Sequence, residues 1–192
     1  MFQELLRDTR VLLALVKFDE DLAEKARAGA CESCGSPLHK AAYPRKPRGV
    51  PKELDAAFSQ RFSFCCGKEG CRKRVTPPSL RFLGRRVYVG LMVVLVSAMR
   101  HGPNRQRLRE LKESLGIDAR TVQRWCRFWR EIFRASPFWK AARGRLIPAV
   151  DEATLPLSIL DRMSGDGTER VVSLLRVLSP ITRTSGLIRL DL

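Results

Sequence analysis

Cys31-Glu32-Ser33-Cys34-Gly35 and, further on, Cys66-Gly67-Lys68-Glu69-Gly70-Cys71-Arg72-Lys73-Arg74 are the stretches on which the reading of this 192-residue chain turns. Two tight cysteine pairs, each beside glycine, can fold into turns that aim two thiolates apiece at one ion. Zinc in a structural role takes four thiolate or imidazole ligands in a closed tetrahedron. The spacing C-x2-C-x31-C-x4-C therefore predicts Cys31, Cys34, Cys66 and Cys71 as ligands of one structural Zn2+. Cys65 competes with Cys66. On a strand the two face opposite sides, so only one should ligate. Cys66 is preferred because it adjoins Gly67 and starts the tighter turn, and His39 is the alternative imidazole. Four protein thiolates leave no open position for water, so the expected role is structural rather than catalytic. Cys126, beside Trp125, reads as a small core residue.

Outward from this site the charge is lopsided. Lys and Arg number 36 against 20 Asp and Glu, for a net charge of +16 and a pI near 10.5. Residues 1–30 carry −1, residues 31–85 +8, residues 86–134 +7 and residues 135–192 +2. Such an excess points to a polyanion, most often nucleic acid, meeting the cysteine segment and the residues up to 134. The N-terminus has no basic stretch before an apolar run, unlike a secretory signal, so paired cysteines in a reducing cytoplasm read as metal ligands rather than disulfides. The most apolar stretch, Val87 to Met99, is short of the roughly 20 residues needed to span a bilayer, and no membrane association is expected.

In chain order, residues 2–28 read as helical, with Asp19-Glu20-Asp21 opening a second helical piece and Gly29 ending it. Tyr43 to Pro51 holds three prolines and the basic residues Arg45, Lys46 and Arg48, and is expected as an exposed loop suited to phosphate contacts. Residues 51–58 predict one or two helical turns. Arg61 to Cys66 predicts a strand into the second knuckle and Arg72 to Thr76 its partner, with Arg72, Lys73 and Arg74 as further phosphate contacts. Arg85 to His101 is apolar most of the way round and reads as a core helix. Asn104 caps a helix from Arg105 to Leu115 with Leu108, Leu111 and Leu115 inward. Asp118 caps the next, from Ala119 to about Arg134, burying Val122, Trp125, Phe128, Trp129 and Ile132. Beyond it, 138–145, 155–163 and 169–178 read as helical.

Leu108-x2-Leu111-x3-Leu115-Gly116-Ile117-Asp118-x2-Thr121-Val122-x2-Trp125 has helix-turn-helix spacing. Glycine makes the turn, Ile117 plugs the gap, and the second helix would present its N-terminal residues to the major groove. The expected contacts are Arg120, Thr121, Gln123, Arg124 and Arg127. Arginine can pair bidentately with guanine and glutamine with adenine, and both can bond phosphate.

A C-x-x-C-G knuckle, a second knuckle ending C-R-K-R, an apolar helix and an L-G-I-x-x-x-T-V-x-x-W helix-turn-helix together resemble the N-terminal region of bacterial insertion-sequence transposases, over residues 31–134. The resemblance implies a terminal-DNA-binding region, which in that family precedes a nuclease domain with a carboxylate triad. Here the acids after residue 134 are Asp151, Glu152, Asp161, Asp166, Glu169 and Asp191, with no strands predicted to bring them together, so no catalytic residue is assigned and no enzyme activity is expected.

The fold class expected is mainly α with a small β zinc ribbon, a helix-turn-helix bundle following the ribbon. The divisions expected are a helical segment at 1–30, the ribbon at 31–84, the helix-turn-helix at 85–135 and a helical extension at 136–192. The function expected is zinc-stabilised, sequence-specific binding of double-stranded DNA by a bacterial, cytoplasmic, nucleoid-associated protein, acting as an accessory, regulator or remnant of a mobile element. The N-terminal helices are the expected surface for a homodimer or a protein partner. An adaptor that docks another subunit through its ribbon, or an RNA-binding protein, are the alternative readings.

Overall fold

Helix α1 (Phe2–Leu5) is short, and α2 (Thr9–Ala28) is the long helix that contributes to both apolar clusters of the fold. The computed structural model describes residues 2–5, 8–48, 50, 54, 56–83, 89–98, 104–146 and 148–183. Asp8 caps α2, its side chain accepting from the Arg10 N–H, and Gly29 closes the other end. The helix runs straight through Asp19-Glu20-Asp21, so the expected second start is corrected. Glu20 and Asp21 face solvent, while Asp19 lies on the buried stripe with Leu12, Leu15 and Val16.

Asp19 is buried because Arg81 is buried with it. Arg81 Nε donates to Asp19 Oδ2 at 2.8 Å, and both side chains are fully buried. Asp19 also accepts from Ser79 Oγ and from the Leu80 N–H at 2.6 Å. The Arg81 guanidinium reaches three carbonyls besides, of Ala57 (3.1 Å), Phe58 (2.6 Å) and Gln60 (2.9 Å), and lies over the rings of Phe58, Phe62 and Phe82. One ion pair thus pins α2, the segment before the second knuckle and the approach to the core helix. A second arginine, Arg61, is also buried. It donates to the carbonyls of Pro77 and Thr182, and burial pulls its guanidinium down to about 10 despite nearby Asp19.

The β structure is small. Strands β1 (Leu38–Lys40), β4 (Phe64–Cys66) and β5 (Arg74–Val75) form an antiparallel sheet in the order β1-β4-β5. A separate ribbon pairs β2 (Tyr43–Pro44) with β3 (Gln60–Arg61). The basic segment after Tyr43 is therefore a paired strand in its first two residues rather than a loop throughout. Pro44 is tolerated because a two-stranded ribbon asks for no second ladder on its outer edge. Of the turns expected over 51–58, a 3-10 turn forms at Ala56–Ser59; residues 51–53 and 55 lie outside the described residues.

The remaining elements are helical. Core helix α3 (Gly90–Ser97) is buried from Gly90 to Val96 and is capped by Val89 and Ala98, shorter than the expected 85–101; residues 85–88 and 99–101 lie outside the described residues. Next come α4 (Arg105–Leu115) and α5 (Ala119–Arg127), the latter continuing into a π-helical segment at Phe128–Phe133. Helices α6 (Pro137–Ala142), α7 (Leu157–Leu160) and α8 (Gly167–Leu178) follow, and a 3-10 turn at Ser179–Thr182 comes after α8. One apolar core draws on α2, α3, α5, α7 and α8, from Val11 to Ile181. A second, smaller one gathers Ala23, Cys31, Leu38, Phe64 and Cys66.

Two more helices are shorter or differently phased than expected. In place of a helix over 155–163, α7 keeps four residues, with Pro156 at its N-cap and Asp161 at its C-cap. In the π segment, each i→i+5 turn takes one residue more than an α turn. The inward register shifts accordingly: Ile132, expected inside, is half-buried, and Phe133 is fully buried among Phe128, Trp129 and Trp139.

The α4–α5 junction follows its local sequence. Asn104 Oδ1 accepts from the Arg107 N–H at 2.8 Å, and Asp118 Oδ1 from the Thr121 N–H at 2.6 Å. Gly116 ends α4 in the left-handed region at φ 66°, and Ile117 is fully buried beneath the turn. A side chain at 116 meets nothing within 4 Å but must adopt this left-handed backbone. Gly116→Val is therefore expected to lower stability by about 1–2 kcal/mol through backbone strain alone, measured by urea unfolding.

Candidate metal centre

The first knuckle is built by its backbone. The Gly35 N–H donates to the Cys31 carbonyl at 2.7 Å, the Cys34 N–H to the same carbonyl at 3.2 Å, and the Cys31 N–H to the Ser36 carbonyl at 3.0 Å. Gly35 permits this turn with φ 70°. The second knuckle leaves the end of β4. The Lys68 N–H donates to Cys66 Sγ at 3.4 Å, and the Lys68 carbonyl accepts from Cys71 and Arg72 before the chain returns as β5. The Cys66 N–H bonds the Lys73 carbonyl, so the sheet ladder clamps both ends of the loop.

These turns bring Cys31, Cys34, Cys66 and Cys71 together, with every Sγ within 4.8 Å of the others. Cys34 and Cys66 are 3.4 Å apart and Cys31 and Cys71 3.9 Å. Tetrahedral thiolates at the usual Zn–S length of about 2.3 Å stand about 3.8 Å apart, so the four sulfurs fit one ion of that size. Cys65 is not among them. It lies opposite His39 in the β1–β4 register and donates to the Arg72 carbonyl at 3.3 Å, on the other face of the strand. His39, exposed beside it, is likewise outside the cluster.

The sulfurs are electrostatically unequal. Hydrogen bonds from the Ser36 side chain and backbone, then from Cys66, pull the Cys34 thiol down to about 6. At Cys66 the Lys68 N–H favours the thiolate, but burial and the thiols of Cys34, Cys71 and Cys31 outweigh it and push the group up to about 12. Crowded thiols give up their protons one after another, and a dication takes the protons' place. Metal affinity is accordingly expected to rise with pH while thiols such as Cys66 still have protons to lose, and to fall most steeply below about 6, where Cys34 is protonated as well. Cobalt substitution, read by its thiolate charge-transfer absorbance across a pH series, checks the sign.

The residues expected to face nucleic acid are not all free to do so. Arg120, Gln123, Arg124 and Arg127 are exposed on α5. Thr121 is corrected: it is only 4% exposed, with Oγ1 accepting from Arg124, because its position falls on the buried stripe with Val122 and Trp125. Arg127 pairs with Glu131 at 2.8 Å. Lys46, Arg48, Arg72 and Lys73 are exposed. Arg45 lies half-buried over the Phe82 ring, and Arg74 NH1 is committed to the Ala41 carbonyl and Ser63 Oγ, both at 3.0 Å.

The acids after residue 134 serve local structure. Glu152 accepts from Trp139 Nε1, Arg134 and Arg143, and these hold its carboxyl below the usual range. Asp151 caps a 3-10 turn, Asp161 pairs with Arg170, and Asp166 and Glu169 form a capping box; Asp191 lies outside the described residues. The Asp19–Arg81 pair was not anticipated, although Asp19 shares the helical phase of Leu12, Leu15 and Val16, which marks an inward position.

Among the described residues no helix is long and apolar enough to cross a membrane. Compared with protein-family models, curated proteins and solved structures, the chain finds no match.

Proposed function

We propose that this protein is a zinc-stabilised DNA-binding protein: a zinc ribbon at the four-cysteine cluster and a helix-turn-helix at α4–α5, acting on double-stranded DNA in the bacterial cytoplasm without a catalytic step of its own. The observation that carries the reading is the two-sidedness of α5. Val122 and Trp125 are buried on one side, and Arg120, Gln123, Arg124 and Arg127 are exposed on the other, past a left-handed glycine turn. These are the side-chain types that read base edges in a major groove. The net charge of +15 over residues 31–134 supplies the nonspecific attraction. The resemblance to insertion-sequence transposases suggests the termini of a mobile element as the target. Zinc is favoured over other ions by four thiolates in a closed set.

The test is retention on pooled DNA duplexes over a salt series. Affinity should fall steeply with salt as counterions are released. Arg124→Ala should relax preference at one base pair and cost about 1–3 kcal/mol there, whereas Lys46→Ala should weaken all sequences alike. No retention even at low salt sinks the proposal.

A second reading, an adaptor for another protein, is favoured by the exposed acids Glu20, Asp21 and Glu24 on α2. A partner recovered after nuclease treatment would support it.

A further inference from the structure

Between the end of α2, the first knuckle and β5 lies a cavity of about 350 Å³. Its walls include Lys25, Lys73, Arg74 and Arg183 against one acid, Glu32. The cations come from three separate parts of the chain: the last turn of α2, the strand leaving the second knuckle, and the chain after the final 3-10 turn. The side chains of Lys25, Lys73 and Arg183 make no ion pair or hydrogen bond among the described residues, unlike Arg74. Glu32 puts one carboxylate on the wall, and the cations outnumber it. Behind the cavity, Arg61 is buried against the carbonyl of Pro77, itself a lining residue, and its NH1 has no partner. Unpaired like charges gathered round a concavity raise the potential inside it, and an anion relieves the repulsion. Hydroxyls of Ser33 and Thr76, also in the lining, can donate to an oxyanion.

We infer that this cavity is an oxyanion site, and that its ligand is a backbone phosphate of nucleic acid held apart from the groove read by α5. The identity of the ligand rests on the DNA-binding reading; the anion site does not. It would fix the cysteine module on the duplex, since phosphate contacts set register and base contacts set sequence.

The test compares metal-loaded native protein with Lys73→Gln/Arg183→Gln and with a charge-matched control away from the cavity, Lys17→Gln/Lys140→Gln. Inorganic phosphate is expected to shift amide resonances of residues 29–33 and 73–76 in the native and control proteins and not in the cavity variant. Affinity for a DNA duplex is expected to fall at least tenfold more in the cavity variant than in the control, with the salt slope smaller by about 1. Absence of a localised phosphate response, or the same response in the cavity variant as in the native protein, overturns the site. Lost phosphate binding with DNA affinity equal to the control overturns the nucleic-acid ligand and assigns a small phosphate compound. A phosphate response that depends on Lys73 and Arg183, in a native protein that retains no DNA, upholds the anion site and rejects the DNA-binding reading.

Discussion

Asp19→Ala is expected to destabilise the protein by about 3–5 kcal/mol, the cost of leaving a buried charge without its partner. The carboxylate accepts from Ser79, Leu80 and Arg81 with none of its surface exposed, so the substitution orphans a guanidinium and a backbone N–H at once. A domain with the usual 5–15 kcal/mol of stability would lose a large part of it. Removing both charges, as in Asp19→Leu/Arg81→Met, is not expected to restore stability. Arg81 also donates to the buried carbonyl of Phe58, which would then lose that donor. Urea unfolding of the metal-loaded single and double variants measures both effects. A loss below about 1 kcal/mol for Asp19→Ala would show that the pair does not hold α2 to the approach of the core helix.

Cys66→Ser is expected to abolish metal binding and unfold the three-stranded sheet. The small core beside the cluster holds few residues, two of them ligands themselves. Without a cross-link, such a core cannot offset the entropy of ordering its loops. Structural zinc sites contribute about 10–16 kcal/mol of apparent binding free energy, far more than this apolar burial supplies. Cys65→Ser, one residue away on the opposite face, is expected to keep one equivalent of metal. Elemental analysis of both purified variants, with circular dichroism of the sheet, decides the matter. Retention of full metal by Cys66→Ser with loss in Cys65→Ser would reverse the ligand assignment.

Much of the local structure was legible because its causes are local. Gly35 and Gly116 take the left-handed backbone that only glycine adopts at low cost, and Asn104 and Asp118 cap the helices that come after them. Strand alternation allowed only one of Cys65 and Cys66 to ligate, and the choice of Cys66, made on its place beside Gly67 at the tighter turn, agrees with the cluster. The Trp125 stripe of α5 was readable from helical period, but the π segment after it was not. An inserted residue leaves no mark in composition, so Ile132 is only half-buried where full burial was expected, and Phe133 is fully buried without having been expected there. Thr121 shows a like limit: a polar residue at the start of a recognition-like helix reads as exposed, yet the fold buries it on the same stripe as Val122 and Trp125.

The sequence by itself determined the two cysteine turns, the helix caps, the core helix and the basic middle of the chain, since each depends on residues close together or on bulk charge. Only the tertiary structure decided which groups far apart would meet. It brought Asp19 to Arg81 across 62 residues, and closed a cavity from Lys25, Lys73 and Arg183. The physical reason is that a charge far along the chain is stabilised or left unpaired by its surroundings, and those surroundings exist only once the chain has folded.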